Sequence, residues 1–194
     1  MKGLRTFIGI FPPPEIRRTI AAIQSTFKGD NSLVRWESQN KFHITVKFLG
    51  DVAENQLGQL QALLDAAAET ISPFEITLLS VGCFPSVHAP KIVWIGSQPS
   101  DNLDLSRCFG AVEEACAEAG FKKDERAFHP HITLGRVKGL RPRRGKISGN
   151  LIKTIENTTF EPLKFPCTEL LVMKSDLSPS GSTYSKQHTI TLKH

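Results

Sequence analysis

Along Phe42 to Phe48 apolar and polar residues alternate with a period of two: Phe42, Ile44, Val46 and Phe48 fall on one face, and His43, Thr45 and Lys47 on the other. That pattern predicts a strand with one packed face and one polar face. The sequence His-Ile-Thr-apolar returns at His131-Ile132-Thr133-Leu134, again among β-branched residues. In each copy the histidine and threonine are two residues apart, so a strand sets both side chains on the same side. Under strict alternation Arg136 points away from His131 and Thr133, and it joins them only if Gly135 breaks the pleat or the strand ends there.

The other elements follow from similar patterns. Leu4 to Phe11 is nearly continuous in apolar residues and predicts a buried strand, ended by Pro12-Pro13-Pro14. Ile16, Ile20, Ile23 and Phe27 then recur at helical spacing, opposite Arg17, Arg18 and Gln24, with Gly29 as the stop. Val34 to Glu37 predicts a short strand, and Asp51 a cap for a helix carrying Leu57, Leu60, Leu64 and Ala67. Phe74 to Val81 and Lys91 to Ile95 predict a hairpin, followed by a helix through Leu105, Phe109, Val112 and Cys116 that Ser100 or Asp101 caps and Gly120 ends. Beyond the second histidine motif come a short helix over Leu151 to Asn157 and strands over Thr168 to Lys174 and Tyr184 to Leu192. Ser175 to Ser182 is expected as a loop long enough to reach over a site. The order reads as a duplicated α+β arrangement with one histidine motif in each half.

Composition narrows the class. The 194 residues are 40% apolar and 22% charged, as in an ordinary soluble domain. Four cysteines, Cys83, Cys108, Cys116 and Cys167, form no Cys-x-x-Cys pair and predict reduced thiols in the cytoplasm. No apolar run has the length of a signal-peptide core or a membrane span, so no membrane partner is expected. The net charge of +5 points toward an anionic partner, and between Arg136 and Lys146 six basic residues occur with no acid. Within that run Arg141, Arg143, Arg144 and Lys146 are candidates to hold an RNA backbone. His129 and His131 could form a His-x-His metal pair, but Pro130 interrupts it and no carboxylate or cysteine stands at ligand spacing, so no metal is expected.

Two histidines suit phosphoryl chemistry. With an unperturbed pKa of about 6.5, one imidazole can be neutral while the other is protonated, so a base and an acid coexist. Threonine hydroxyls beside them can donate to non-bridging phosphate oxygens.

His43-Ile44-Thr45-Val46 and His131-Ile132-Thr133-Leu134 resemble the twin His-x-Thr-x motifs of the two-histidine (2H) phosphoesterases. Arg5 to Ile10, Val46 to Gly50, Phe128 to Arg136 and Leu170 to Tyr184 are similar to the RNA 2′,3′-cyclic phosphodiesterase branch, also called 2′-5′ RNA ligase-like proteins. The likeness spans essentially the whole chain. It implies an α+β fold of pseudo-two-fold, bilobal form: two antiparallel sheets flanked by helices around a central cleft, with residues 1–194 as one bilobal domain and no separable linker. It implies hydrolysis of 2′,3′-cyclic phosphate ends of RNA to 2′-phosphates without metal or other cofactor, and in some members reversible 2′-5′ joining. By the same resemblance His43 is the proton donor, His131 the proton acceptor, Thr45 and Thr133 phosphate binders and Arg136 a substrate-binding residue. A monomer acting on RNA ends or cyclic nucleotides is expected. Two alternatives stay open: a 2H phosphoesterase for small cyclic nucleotides or 2′-5′ oligonucleotides, and a non-catalytic module that binds RNA ends.

Overall fold

Strand β1 (Leu4–Ile10) forms where the sequence is almost unbroken in apolar residues, and its residues from Thr6 onward are buried. The molecule, seen here as a computed structural model, is described over residues 3–28, 33–138, 149–178 and 181–193. After the prolines, helix α1 (Pro14–Thr26) starts with a proline in its first turn, where no amide hydrogen is needed. Ile20 and Phe27 are fully buried and Ile16 and Ile23 pack beside them, as the spacing predicts. Gln24, expected on the polar face, is instead 2% exposed. Its Nε2 donates to the carbonyls of Glu37 (2.7 Å) and Leu134 (2.8 Å), so a buried amide is satisfied by two backbone acceptors.

The chain continues through β2 (Val34–Trp36), β3 (Ile44–Val52), α2 (Glu54–Ala68), β4 (Phe74–Leu78), β5 (Ser80–Phe84), β6 (Ile92–Gly96), α3 (Leu103–Glu118), β7 (His131–Val137), α4 (Gly149–Asn157), β8 (Leu163–Cys167), β9 (Glu169–Ser178) and β10 (Gly181–Thr191). These build two antiparallel sheets. The larger has the order β10-β9-β1-β3-β7-β6-β5, with β2 also paired to β7, and the smaller is β4-β8.

Several expectations are corrected. Asp51 does not cap α2; it stays in β3 opposite Arg5, and α2 begins after Ala53, whose amide donates to the Gln56 side chain. The run Phe74 to Val81 is two strands that change sheet at Leu79: β4 pairs with β8, while the hairpin with β6 is made by β5. The residue before α3 is Asn102, and its amide is spent elsewhere. It donates to the Thr77 carbonyl and Ser97 Oγ and accepts from the Thr77 amide, binding β4 to the start of the helix. The expected loop from Ser175 to Ser182 is a hairpin, because β9 runs to Ser178 and β10 starts at Gly181. His188 sits in β10 and its Nε2 is 2.8 Å from Asp65 of α2.

Both motif strands also depart from strict alternation. Where β3 pairs with β1 the register skips Val46 and, three residues on, Leu49; where β7 pairs with β6 it skips Leu134. Each skip is a one-residue bulge, which inverts the facing of the residues that follow, and in β3 the second skip restores the original phase by Val52. Lys47, expected beside His43 and Thr45, therefore turns inward and is 2% exposed, its Nζ 2.7 Å from Glu113 and 2.8 Å from the Lys122 carbonyl. Phe48, expected in the core, turns outward at 45% exposure. In β7 the same inversion buries Gly135, where a Cβ would lie 2.7 Å from both Trp36 and Val34, so only glycine fits. Gln24 and the Glu37 amide both donate to the Leu134 carbonyl at this bulge.

Candidate active site

β3 and β7 meet in the middle of the large sheet through a single residue pair, Ile44 opposite Ile132. These are the residues between histidine and threonine in each motif. Extending that antiparallel register by one position sets His43 across from Thr133 and Thr45 across from His131. The two histidines and two threonines thus form a square with like residues on the diagonals, and all four line one cleft of about 330 Å³. All four motif residues are thus brought together.

Arg136 lines the same cleft. The bulge at Leu134 supplies the break in the pleat that its position required. Its guanidinium is half exposed and stands 3.7 Å from the Glu37 carboxylate. Phe48, the fifth residue after His43 as Arg136 is the fifth after His131, enters the cleft by the equivalent bulge in β3. The sequence held a signal for it in that repeat.

Each imidazole is oriented by backbone. His43 Nδ1–H donates to the Lys41 carbonyl and His131 Nδ1–H to the His129 carbonyl, each at 2.7 Å. A carbonyl can only accept, so Nδ1 carries hydrogen in both rings and Nε2 is the nitrogen left for substrate. His43 is packed by Phe7 and Phe11, with centroids 4.8 and 5.2 Å away, and by the edge of Tyr184 at 5.3 Å. His131 meets the edge of Phe84 at 4.9 Å. Burial is the main reason the His43 pKa falls to about 4; its hydrogen bond to Lys41 opposes this, and the nearby His131 and Arg136 add to it. Burial lowers His131 too; its hydrogen bond to the His129 carbonyl opposes this, and the nearby His129 and Arg136 side chains add to it. In the empty cleft both imidazoles are neutral near pH 7.

Further lining residues come from elsewhere in the chain. Arg5 and Phe7 come from β1, Lys41 from the short 3-10 turn before His43, and Ser175, Leu177, Ser182 and Tyr184 from the β9–β10 hairpin. Burial raises the Tyr184 pKa, chiefly with help from the Glu37 carboxylate, so its hydroxyl stays a donor. The candidate RNA contacts Arg141, Arg143, Arg144 and Lys146 lie outside the described residues. Among the described residues no cluster of three or more histidine, cysteine or carboxylate side chains is close enough to hold a metal, and no helix is long and apolar enough to cross a membrane.

With this geometry in hand, comparisons with known proteins are specific. A sequence model of the 2′-5′ RNA ligase superfamily matches residues 12–179. A protein of Methanothermobacter thermautotrophicus named RNA 2′,3′-cyclic phosphodiesterase is 29% identical over 190 residues, covering 97% of this chain and 99% of that one. One of the same name from Methanocaldococcus jannaschii is 33% identical over 181 residues, covering 93% and 96%. Among solved structures, apo LigT of E. coli superposes with a TM-score of 0.75 at 22% identity over the full length of both chains, and so shares the fold.

Proposed function

Since the chain belongs to the 2′-5′ RNA ligase superfamily, we propose that it hydrolyses the 2′,3′-cyclic phosphate at RNA ends to a 2′-phosphate, using its two histidines as acid and base. The observation that carries this reading is the square of His43, Thr133, Thr45 and His131, with both Nε2 atoms left for substrate. The relatives named RNA 2′,3′-cyclic phosphodiesterase support the substrate class.

In the reaction, water attacks phosphorus and gives its proton to His131 Nε2. The bond from phosphorus to O3′ breaks, and O3′ takes a proton from His43 Nε2. Thr45 and Thr133 hydroxyls donate to the non-bridging oxygens, and Arg136 offsets the charge that builds there. His43 must enter protonated although burial holds it low in the empty site. The phosphate monoanion supplies the opposite charge that draws the proton in, and an imidazolium with a depressed pKa is a strong acid toward a leaving alkoxide. The two imidazoles supply both proton transfers, so the scheme calls for no metal. With an RNA 5′-hydroxyl in place of water, the same transfers would form a 2′-5′ bond.

The test is to offer a 2′,3′-cyclic-phosphate-ended oligonucleotide in the presence of a chelator and to identify the product. A 2′-phosphate, lost by about a hundredfold or more in H43A and in H131A while both variants stay folded, is the expected result. A 3′-phosphate product, chelator sensitivity or full activity of either variant overturns the proposal. Tight binding of the end without turnover would instead mark an end-binding module.

A further inference from the structure

The cleft carries more positive charge than the reacting group needs. A cyclic phosphodiester has one negative charge, while Arg5, Lys41 and Arg136 face Glu37 alone among the described lining residues. Glu37 stands by Arg136. Among the described residues no carboxylate pairs with Arg5 or Lys41. With Arg136 beside Glu37 and a protonated His43 meeting the cyclic phosphate, Arg5 and Lys41 are left for a second anion.

Each of these two cations has a defined neighbour. The Arg5 guanidinium lies 4.5 Å from the centre of the Phe48 ring, a cation–π contact at the mouth of the cleft. Lys41 reaches across to the β9–β10 hairpin, its Nζ 3.2 Å from where a Cβ at Gly181 would stand. Gly181, at φ +132, leaves that ammonium room. Arg5 is carried by β1 and the Lys41 ammonium reaches the hairpin, which brings the hydroxyl donors of Ser175 and Ser182 to the same cleft. The space of about 330 Å³ falls within the roughly 300–1,000 Å³ of small-molecule sites and exceeds what a cyclic phosphate fills.

We infer that Arg5 and Lys41 form a second anion subsite, which takes the phosphate on the 5′ side of the terminal nucleotide and so selects RNA ends over cyclic mononucleosides. This rests on the proposed cyclic phosphodiesterase reading. In RNA the terminal nucleotide bears that phosphate on its 5′ oxygen, one ribose away from the cyclic phosphate in the histidine square. A nucleoside 2′,3′-cyclic phosphate has only a hydroxyl there.

The experiment compares uridine 2′,3′-cyclic phosphate with its 5′-phosphorylated form in the wild type, R5Q and K41Q. The readout is the ratio of kcat/KM between the two substrates, which cancels any general damage to the catalytic square. Alongside it, calorimetry measures the Kd of uridine 2′-phosphate and of uridine 2′,5′-bisphosphate. The wild type should prefer the 5′-phosphorylated partner by tenfold or more, and each substitution should remove about tenfold of that preference. The preference should also fall with added salt. A preference that survives both substitutions, or losses equal on both substrates, overturns the subsite. If neither substrate turns over, the phosphodiesterase reading fails by itself. The calorimetric ratio then still decides the subsite: a bisphosphate preference lost in R5Q and K41Q upholds it, and no preference overturns it.

Discussion

Replacing His43 with glutamine should make the fold less sensitive to acid, because the buried imidazole is a pH-dependent liability. Its pKa is about 4 folded against 6.5 as a free side chain. The unfolded chain therefore takes up its proton first as pH falls. Stability contributed by the neutral ring is complete above pH 6.5, is lost as pH falls from there toward 4, and the loss levels off below. The full difference corresponds to roughly 3 kcal/mol, and between pH 7 and pH 4.5 about 2 to 2.5 kcal/mol of it is expressed. Glutamine cannot titrate, keeps an N–H donor for the Lys41 carbonyl and leaves the other acid-labile groups, His131 among them, unchanged. Urea unfolding followed by the fluorescence of Trp36 and Trp94 at the two pH values measures both proteins. The wild type should lose about 2 kcal/mol more than H43Q. Parallel losses would show that Phe7, Phe11 and Tyr184 do not hold the ring neutral, and the account of its protonation by substrate would fall with that.

Three more outcomes are expected. The pH dependence of kcat/KM should be bell-shaped, its limbs belonging to the pair, and centred below 6.5 because both imidazoles are lowered in the free site; the kcat profile should lie at higher pH because bound phosphate raises the donor, and a rate climbing into alkaline pH would contradict the mechanism. T45V and T133V should each lower kcat by about a hundredfold with a smaller change in KM, since each removes a donor to the developing charge; equal changes in binding and turnover would assign them to ground-state binding only. K47M should destabilise the protein by about 3–5 kcal/mol in chemical denaturation, because it leaves Glu113 buried without its partner, and adding E113L should recover much of that loss; a mild single-variant effect would show the pair to be solvated.

The histidine–threonine strands, α1 and α3 could be read from the sequence because each is announced by local periodicity or an end signal, such as the prolines before Pro14. The phase of the motif strands could not. Whether Val46 and Leu134 are skipped depends on how β1 and β6 pair with them, which is non-local, so alternation counted along one strand put Lys47 and Phe48 on the wrong faces. Gly135 was a clue, being a residue too small to pack where the pleat must break. Leu79 gave no sign that β4 and β5 belong to different sheets, since β4 finds its partner in β8, far along the chain. Ser100 and Asp101 looked like the helix cap, and only the fold reveals that the next residue, Asn102, precedes the helix and lends its amide to Thr77. Arg5 and Tyr184 lie in segments that resemble the family and Lys41 in none, yet no spacing ties any of them to the histidines; β1, the hairpin and the 3-10 turn carry them to the cleft.

The carbonyls of Lys41 and His129 that aim the two imidazoles belong to the main chain, and a main-chain atom cannot be deleted by substitution. Enzymes that orient a histidine with a carboxylate can lose the tautomer by a single codon change. Here, any residue but one that distorts the local backbone preserves it. Positions 41 and 129 are thereby released from the duty of supporting the proton transfers, although they adjoin them. Evolution can rewrite the side chain at position 41, which lines the cleft, to suit a new substrate while the acid–base pair stays intact, and specificity can drift there without passing through an inactive intermediate.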